Sequence, residues 1–250
     1  MSHLRVGVRC KQGEFPDEWL EWLNENLLRG VDAGKIVGIL ASKGFHPHKN
    51  STLMHRILTW VSLDKFVAAH PEIDLMDSSE KLHEDFFEWL KETAQRGIDG
   101  EVIMKVLDDR CIDLRKDSLH FAQQLENNVF GSLKDLNGAA PDILDFWHAC
   151  KKGYLDDVTI YCKCGVQVNE DRVDRHTCER TTPLMYASMN GHDKVVKVLL
   201  SYGADPKAID LRGRNACHHA ALNGHTACCA HLVDGGAMMF SGDIQKNTPL

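Results

Sequence analysis

The chain has 250 residues, 43% of them hydrophobic and 26% charged, with a formal net charge of -7. That balance belongs to a soluble globular protein with room for a core, and it excludes a disordered polyelectrolyte. The negative charge argues against general nucleic-acid binding, and no run of about 18 residues is apolar enough for a membrane span.

Residues Met1–Phe15 lack the apolar stretch of a secretory leader. Nine cysteines in a chain of this length, an odd number with several at apolar helical positions, point to buried free thiols in an intracellular, cytoplasmic protein.

The first predicted elements are amphipathic helices over 17–28 and 33–43, joined at Arg29-Gly30. A third helix is expected over 51–69, where Leu53, Ile57, Leu58 and Val61 form a stripe. A second pair, over 79–95 and 100–109, repeats the first at an offset of 67 residues. Trp22-Leu23, Arg29-Gly30-Val31-Asp32, Ile36 and Leu40 match Trp89-Leu90, Arg96-Gly97-Ile98-Asp99, Ile103 and Leu107. Residues 71–110 hold twelve Asp or Glu against five Lys or Arg, a solvated helical surface or an electrostatic docking face. Ser118–Asn128 is expected to be helical, and Gly131–Pro141 is the expected junction. Residues 1–135 then form either a separate all-α domain packed on the C-terminal part of the chain or a set of irregular capping helices.

Comparison of the remainder with itself yields a stronger periodicity. Residues 182–214 and 215–247 superimpose over 33 positions without a gap. Ala187 matches Ala220, Asn190-Gly191-His192 matches Asn223-Gly224-His225, and Gly203-Ala204 matches Gly236-Ala237. Thr182 can cap a short helix with Pro183 in its first turn, and Asn190-Gly191 can turn the chain into a second helix. Val195, Val196, Leu199 and Leu200 line one side of that helix, Gly203 ends it, and Asp210 and Gly213 suit a hairpin tip. A divergent copy precedes these, with Ala149, Gly153, Val158, Tyr161 and Gly165 opposite Ala187, Gly191, Val196, Leu199 and Gly203. It stands 38 residues before the next copy, so about five extra residues fall within 170–181. Thr248-Pro249-Leu250 restart the cycle, which raises the expectation of a truncated product or of further downstream sequence.

Through TPLMYASMNGHDKVVKVLLSYGADP and ACHHAALNGHTACCAHLVDGGA, residues 141–250 resemble the ankyrin repeat family. The resemblance implies an all-α ankyrin-repeat solenoid preceded by an N-terminal helical domain. It departs at Met185, where the family places the histidine that His218 supplies in the next copy. It also implies protein binding, through hairpin tips and first-helix faces. Carried onto this chain, the candidate contacts are Met185, Tyr186, Lys207, Asp210, Arg212 and Arg214, with Met189 beside them and Tyr186 as the best anchor. The inserted Arg172, Asp174, Arg175 and Glu179 form a second candidate edge.

Catalytic chemistry finds little footing. Cys162-x-Cys164 with His176-x-Cys178 has the ligand types of a zinc site, but the repeat register puts Cys162 opposite core Leu200, so no metal is expected. Cys228-Cys229 fall opposite Val195-Val196 and read as core. His192 and His225 read as braces of the turn. Phosphate-cradling, dinucleotide and nucleophile-elbow signatures are missing, so no catalytic residue and no cofactor is assigned. The expected function is a scaffold or adaptor with a protein partner and neither nucleic acid nor membrane. A recruiting region of a larger enzyme and a self-associating structural role are the alternatives.

Overall fold

The computed structural model describes residues 17–71, 84–98, 100–110, 112, 144–173 and 180–249. The chain divides into two compact units, Met1–Leu144 and Asp145–Leu250. The helix expected over 118–128, the junction at 131–141 and the start of the helix expected from 79 lie outside the described residues.

The first unit contains α1 (Asp17–Leu28), α2 (Ala33–Ser42), α3 (Ser51–Ala69), α4 (Glu84–Gln95) and α5 (Gly100–Asp109). Both ends of α1 and α2 recur 67 residues later in α4 and α5, so the faint duplication is a duplicated helix pair. Leu23, Ile36 and Leu40 are fully buried, as are their counterparts Leu90, Ile103 and Leu107. Each pair turns at a glycine of positive φ, Gly30 at 74° and Gly97 at 86°.

Asp32 and Asn50 cap α2 and α3 by accepting from the N–H groups of Lys35 and Leu53. α3 packs on α4 and α5 with a wider face than the expected stripe. Trp60 and Leu63 are fully buried, while Val61 is half-buried. Arg110 lies 5.1 Å over the Trp60 ring and pairs with Asp64, and Arg56 pairs with Asp109. Imidazole Nε2 of His55 lies 2.9 Å from the Leu144 carbonyl, which ties the end of the unit to α3.

The second unit stacks α6 (Phe146–Lys152), α8 (Pro183–Met189) and α10 (Ala216–Leu222) in one row. In a second row lie α7 (Leu155–Lys163), α9 (Asp193–Ser201) and α11 (Thr226–Asp234). The first-row helices have 7 residues and the second-row helices 9, too short to persist alone in water. Stacking supplies the missing burial: Ala149, Ala187, Ala220, Val158, Val196, Leu199 and Leu232 are fully inside.

The caps follow the sequence. Thr182 accepts from the Met185 N–H at 3.3 Å, and Asn215 accepts from the His218 N–H at 3.1 Å. His218 in turn accepts from the Asn215 N–H through Nδ1 at 3.1 Å, closing a capping box that Met185 cannot make.

One histidine contact recurs between successive repeats. Nε2 of His192 lies 2.9 Å from the Lys151 carbonyl, and Nε2 of His225 lies 3.2 Å from the Met189 carbonyl. The rings cover Gly153 and Gly191, where an added Cβ would come within 2.5 and 2.6 Å of the respective Nδ1. The histidines therefore brace the helix end of the preceding repeat rather than their own turn. Gly224, the third glycine in this register, has nothing within 4 Å of its Cβ position.

Candidate functional site

Hairpin fingers project from the repeats and bond to the first-row helices, so the two together make one edge of the stack. In the finger after α9, Asp210 turns inward, and Oδ1 accepts from the N–H groups of Arg212 and Arg214 at 2.8 and 2.9 Å. Oδ2 accepts from the Arg214 guanidinium at 2.9 Å and faces Nε2 of buried His219 on α10 at 3.0 Å. Burial works to raise the Asp210 carboxyl, but the donors from Arg214 and Arg212 outweigh it and hold the group below the ordinary carboxylate range.

The finger after α11 repeats the turn without the guanidinium: Asp243 accepts from the N–H groups of Gln245 and Asn247, both at 2.8 Å. His218 Nε2 then lies 3.1 Å from the Asn247 carbonyl. The Ile244 N–H donates to the Arg212 carbonyl at 2.9 Å, which fastens these two fingers together.

The finger after α7 differs because its register position holds Arg172 instead of aspartate. Here the insertion makes two short antiparallel strands, β1 (Arg172–Val173) and β2 (Arg180–Thr181), with Arg172 opposite Thr181 and Val173 opposite Arg180. Arg172 pairs with Asp145 and lies 5.7 Å over the Trp147 ring, while Arg180 pairs with Asp171. Asn169 joins this loop to the next by donating to the Gly203 carbonyl at 3.0 Å and accepting from the Asp205 N–H at 2.7 Å. Of the inserted residues proposed as a second edge, Arg172 is exposed, and Asp174, Arg175 and Glu179 lie outside the described residues.

The six residues singled out from sequence separate into two groups. Lys207 and Arg212 are exposed on the finger. Met185, at 1% exposure, packs inside the helix row, and Tyr186, at 7%, lies beneath the Lys151 ammonium 5.9 Å from its ring centroid. Asp210 is buried under its own turn, and half-buried Arg214 is held by it. Met185 and Asp210 are thereby corrected from surface contacts to structural residues. A first-helix residue faces either the groove or the next helix, and only the stack decides which; a tip aspartate that caps its own turn points inward. Neighbouring Met189 is half-buried. Unmarked from sequence alone were the aliphatic fingertips Val173, Leu211 and Ile244, all exposed. Their common repeat position was the available signal.

The cysteines behave as packing groups. Cys150, Cys162, Cys164, Cys217 and Cys228 are buried free thiols, and Cys229 is half-buried. Burial pushes the Cys162 and Cys164 thiols up to about 12 and those of Cys217 and Cys228 up to about 11, so at neutral pH they are protonated and poor nucleophiles. His176 and Cys178, the other half of the zinc constellation, lie outside the described residues. At the Gly224 side of the stack a cleft of about 530 Å³ is lined by Gly224, Thr226, Cys229, Val233, Met239 and Pro249 among others. Cys229 thus borders an open cleft where its register partner Val196 is fully buried.

Paired short helices in two rows, each pair followed by a finger, define an all-α repeat solenoid. The model of ankyrin repeats in three copies matches residues 119–210 and again 146–243, and the chain belongs to the ankyrin repeat family. Residues 119–143 of the earlier match lie outside the described residues. The chain is 37% identical over 84 residues to Protein HOS4 of Saccharomyces cerevisiae, covering 34% of this chain and 7% of that protein. It is 40% identical over 112 residues to a probable E3 ubiquitin-protein ligase, XBOS33, of Oryza sativa subsp. japonica, covering 40% of this chain and 21% of that protein. Putative ankyrin repeat protein FPV014 of Fowlpox virus is 32% identical over 129 residues, 49% of this chain and 28% of that protein. The chain therefore spans under a third of the length of each of these relatives. Ankyrin repeats are protein-interaction modules. Among the described residues no helix is long and apolar enough to cross a membrane.

Proposed function

We propose that this chain is a scaffold or adaptor that binds a protein partner through the edge formed by its fingers and first-row helices. The observation that carries the reading is a set of fingers whose Asp210, Asp243 and Arg172 are bonded inward while the fingertips are left exposed. Lys207 and Arg212 are the charged contacts, Asp210 and Arg214 hold the tip in place, and Met185 and Tyr186 pack the helix row beneath it. Such an edge engages a partner with little backbone adjustment. Six free thiols among the described cysteines support a reducing, cytoplasmic location.

A second reading is a substrate-recruiting region of a larger enzyme. It is favoured by relatives named E3 ubiquitin-protein ligase and palmitoyltransferase, of which this chain matches only a part. Affinity capture from source extract with the full chain, beside a Lys207→Glu/Arg212→Glu variant, tests the first reading. The variant should retain its fold and recover less of a captured protein. Equal recovery of every partner would remove the fingers from the site. Co-purification of an enzyme's substrate, with the enzyme's catalytic part on the same natural polypeptide, would favour the second reading.

A further inference from the structure

On the proposed edge, one apolar position recurs in each described finger. Leu211 and Ile244 follow Asp210 and Asp243 in the two matching aspartate turns, and the 38-residue interval between the first two repeats puts Val173 at the same place. These three side chains are 55% (Val173), 62% (Leu211) and 71% (Ile244) exposed. Single exposed aliphatic residues are ordinary, but three at one register position form a row. The first-row helices beneath the fingers pack side by side, and helices in such contact lie about 8–10 Å apart, which sets the pitch of the row.

The charge on this edge is asymmetric. Lys151, Lys207 and Lys246 are exposed. The acids are largely used within the fold: Asp145 pairs with Arg172, Asp171 with Arg180 and Asp210 with Arg214. Asp205 accepts from the Lys207 N–H, and Asp243 from those of Gln245 and Asn247. Among the described residues of this edge, Glu170 is the exposed acid outside these pairings. Outward lysines beside an aliphatic row complement carboxylates beside apolar side chains. A phosphate backbone would leave the row without a partner.

Building on the protein-binding reading, we propose that this edge recognises an acidic peptide segment whose apolar side chains recur about every 10 Å on one face. That recurrence corresponds to every seventh residue of a helix, about 10.5 Å, or every third residue of a polyproline II turn, about 9.3 Å. A β-strand does not meet it, because three residues span about 10 Å but residues three apart point to opposite faces.

The test pans a displayed random-peptide library, of about 16 residues to hold two heptads, on the immobilised full chain. Selected peptides are then titrated as labelled probes. Acidic sequences with apolar spacings of three or seven are expected. Their binding should weaken about tenfold or more in Leu211→Asp/Ile244→Asp, since each tip would bury one aliphatic group. Both positions are exposed, so the melting curve should not move; Lys207→Glu/Lys246→Glu gives the same loss by charge alone. Selection of basic or uncharged sequences, strand-like alternation, an empty selection, or binding indifferent to both variants would each overturn the proposal. In any of these cases the protein-binding reading still stands or falls separately, on the partner captured with the Lys207→Glu/Arg212→Glu comparison.

Discussion

Replacing Gly191 with alanine isolates the contact that locks one repeat to the next. Two costs are expected. At φ 76° an L side chain is strained by roughly 1–2 kcal/mol. The added Cβ would also stand 2.6 Å from the His225 ring, which must leave its seat and give up the 3.2 Å contact with the Met189 carbonyl, a loss of about 0.5–1.5 kcal/mol. Gly224 provides the control. It has the same Asn-Gly-His surroundings and a φ of 73°, with nothing within 4 Å of its Cβ position. Gly224→Ala should therefore cost only the strain. Thermal melts of the full chain by far-ultraviolet circular dichroism should place Gly191→Ala below Gly224→Ala by a few degrees, at ~4 °C per kcal/mol. In a His225→Ala background the two alanine variants should become equivalent, since the ring that Gly191 accommodates is gone. Equal melting of the two single variants, or an undiminished Gly191 effect without His225, would refute the lock.

Asp210→Ala should destabilise by roughly 3 kcal/mol, because it strands the Arg214 guanidinium, two backbone N–H groups and buried His219 around an empty site; chemical denaturation checks this. The folded Asp210 carboxyl is held below its unfolded value of about 4, so its stabilisation is complete above that value and is lost as pH falls through the folded one. Denaturation midpoints from neutral pH into acid should thus fall further for the wild type than for Asp210→Asn, and parallel curves would contradict the assignment. Site-resolved alkylation near pH 8 should label half-buried Cys229 well before Cys228, which is buried and pushed up to about 11. Faster labelling of Cys228 would show that its packing is not as described.

The parts of the fold legible in the sequence were those encoded within one repeat. Thr182 as a cap, Asn190-Gly191 as a turn and Gly203 as a helix end each answer to a local backbone requirement. The duplicated helix pair of the first unit was readable for the same reason, since Arg-Gly and the apolar spacing recur intact. Relations between repeats were not readable. His192 and His225 looked like parts of their own turns, and only stacking shows that each imidazole reaches the carbonyl two residues before the preceding repeat's glycine. Asp210 follows the same rule: a charged residue at a tip suggests exposure, whereas its carboxylate serves the tip's own N–H groups and the next helix.

The inward carboxylate of Asp210 bears on what the edge can recognise. A finger whose aspartate is committed to its own turn has little carboxylate to offer a partner, so the surface expresses whatever the turn leaves outside. In this chain those are an aliphatic side chain directly after the aspartate and one nearby lysine, Lys207 before Leu211 and Lys246 after Ile244. The inward carboxylate and the outward aliphatic row are two consequences of one turn geometry. Loss of the Asp210 turn should therefore disorder Leu211 along with it, weakening recognition even where Lys207 and Arg212 remain.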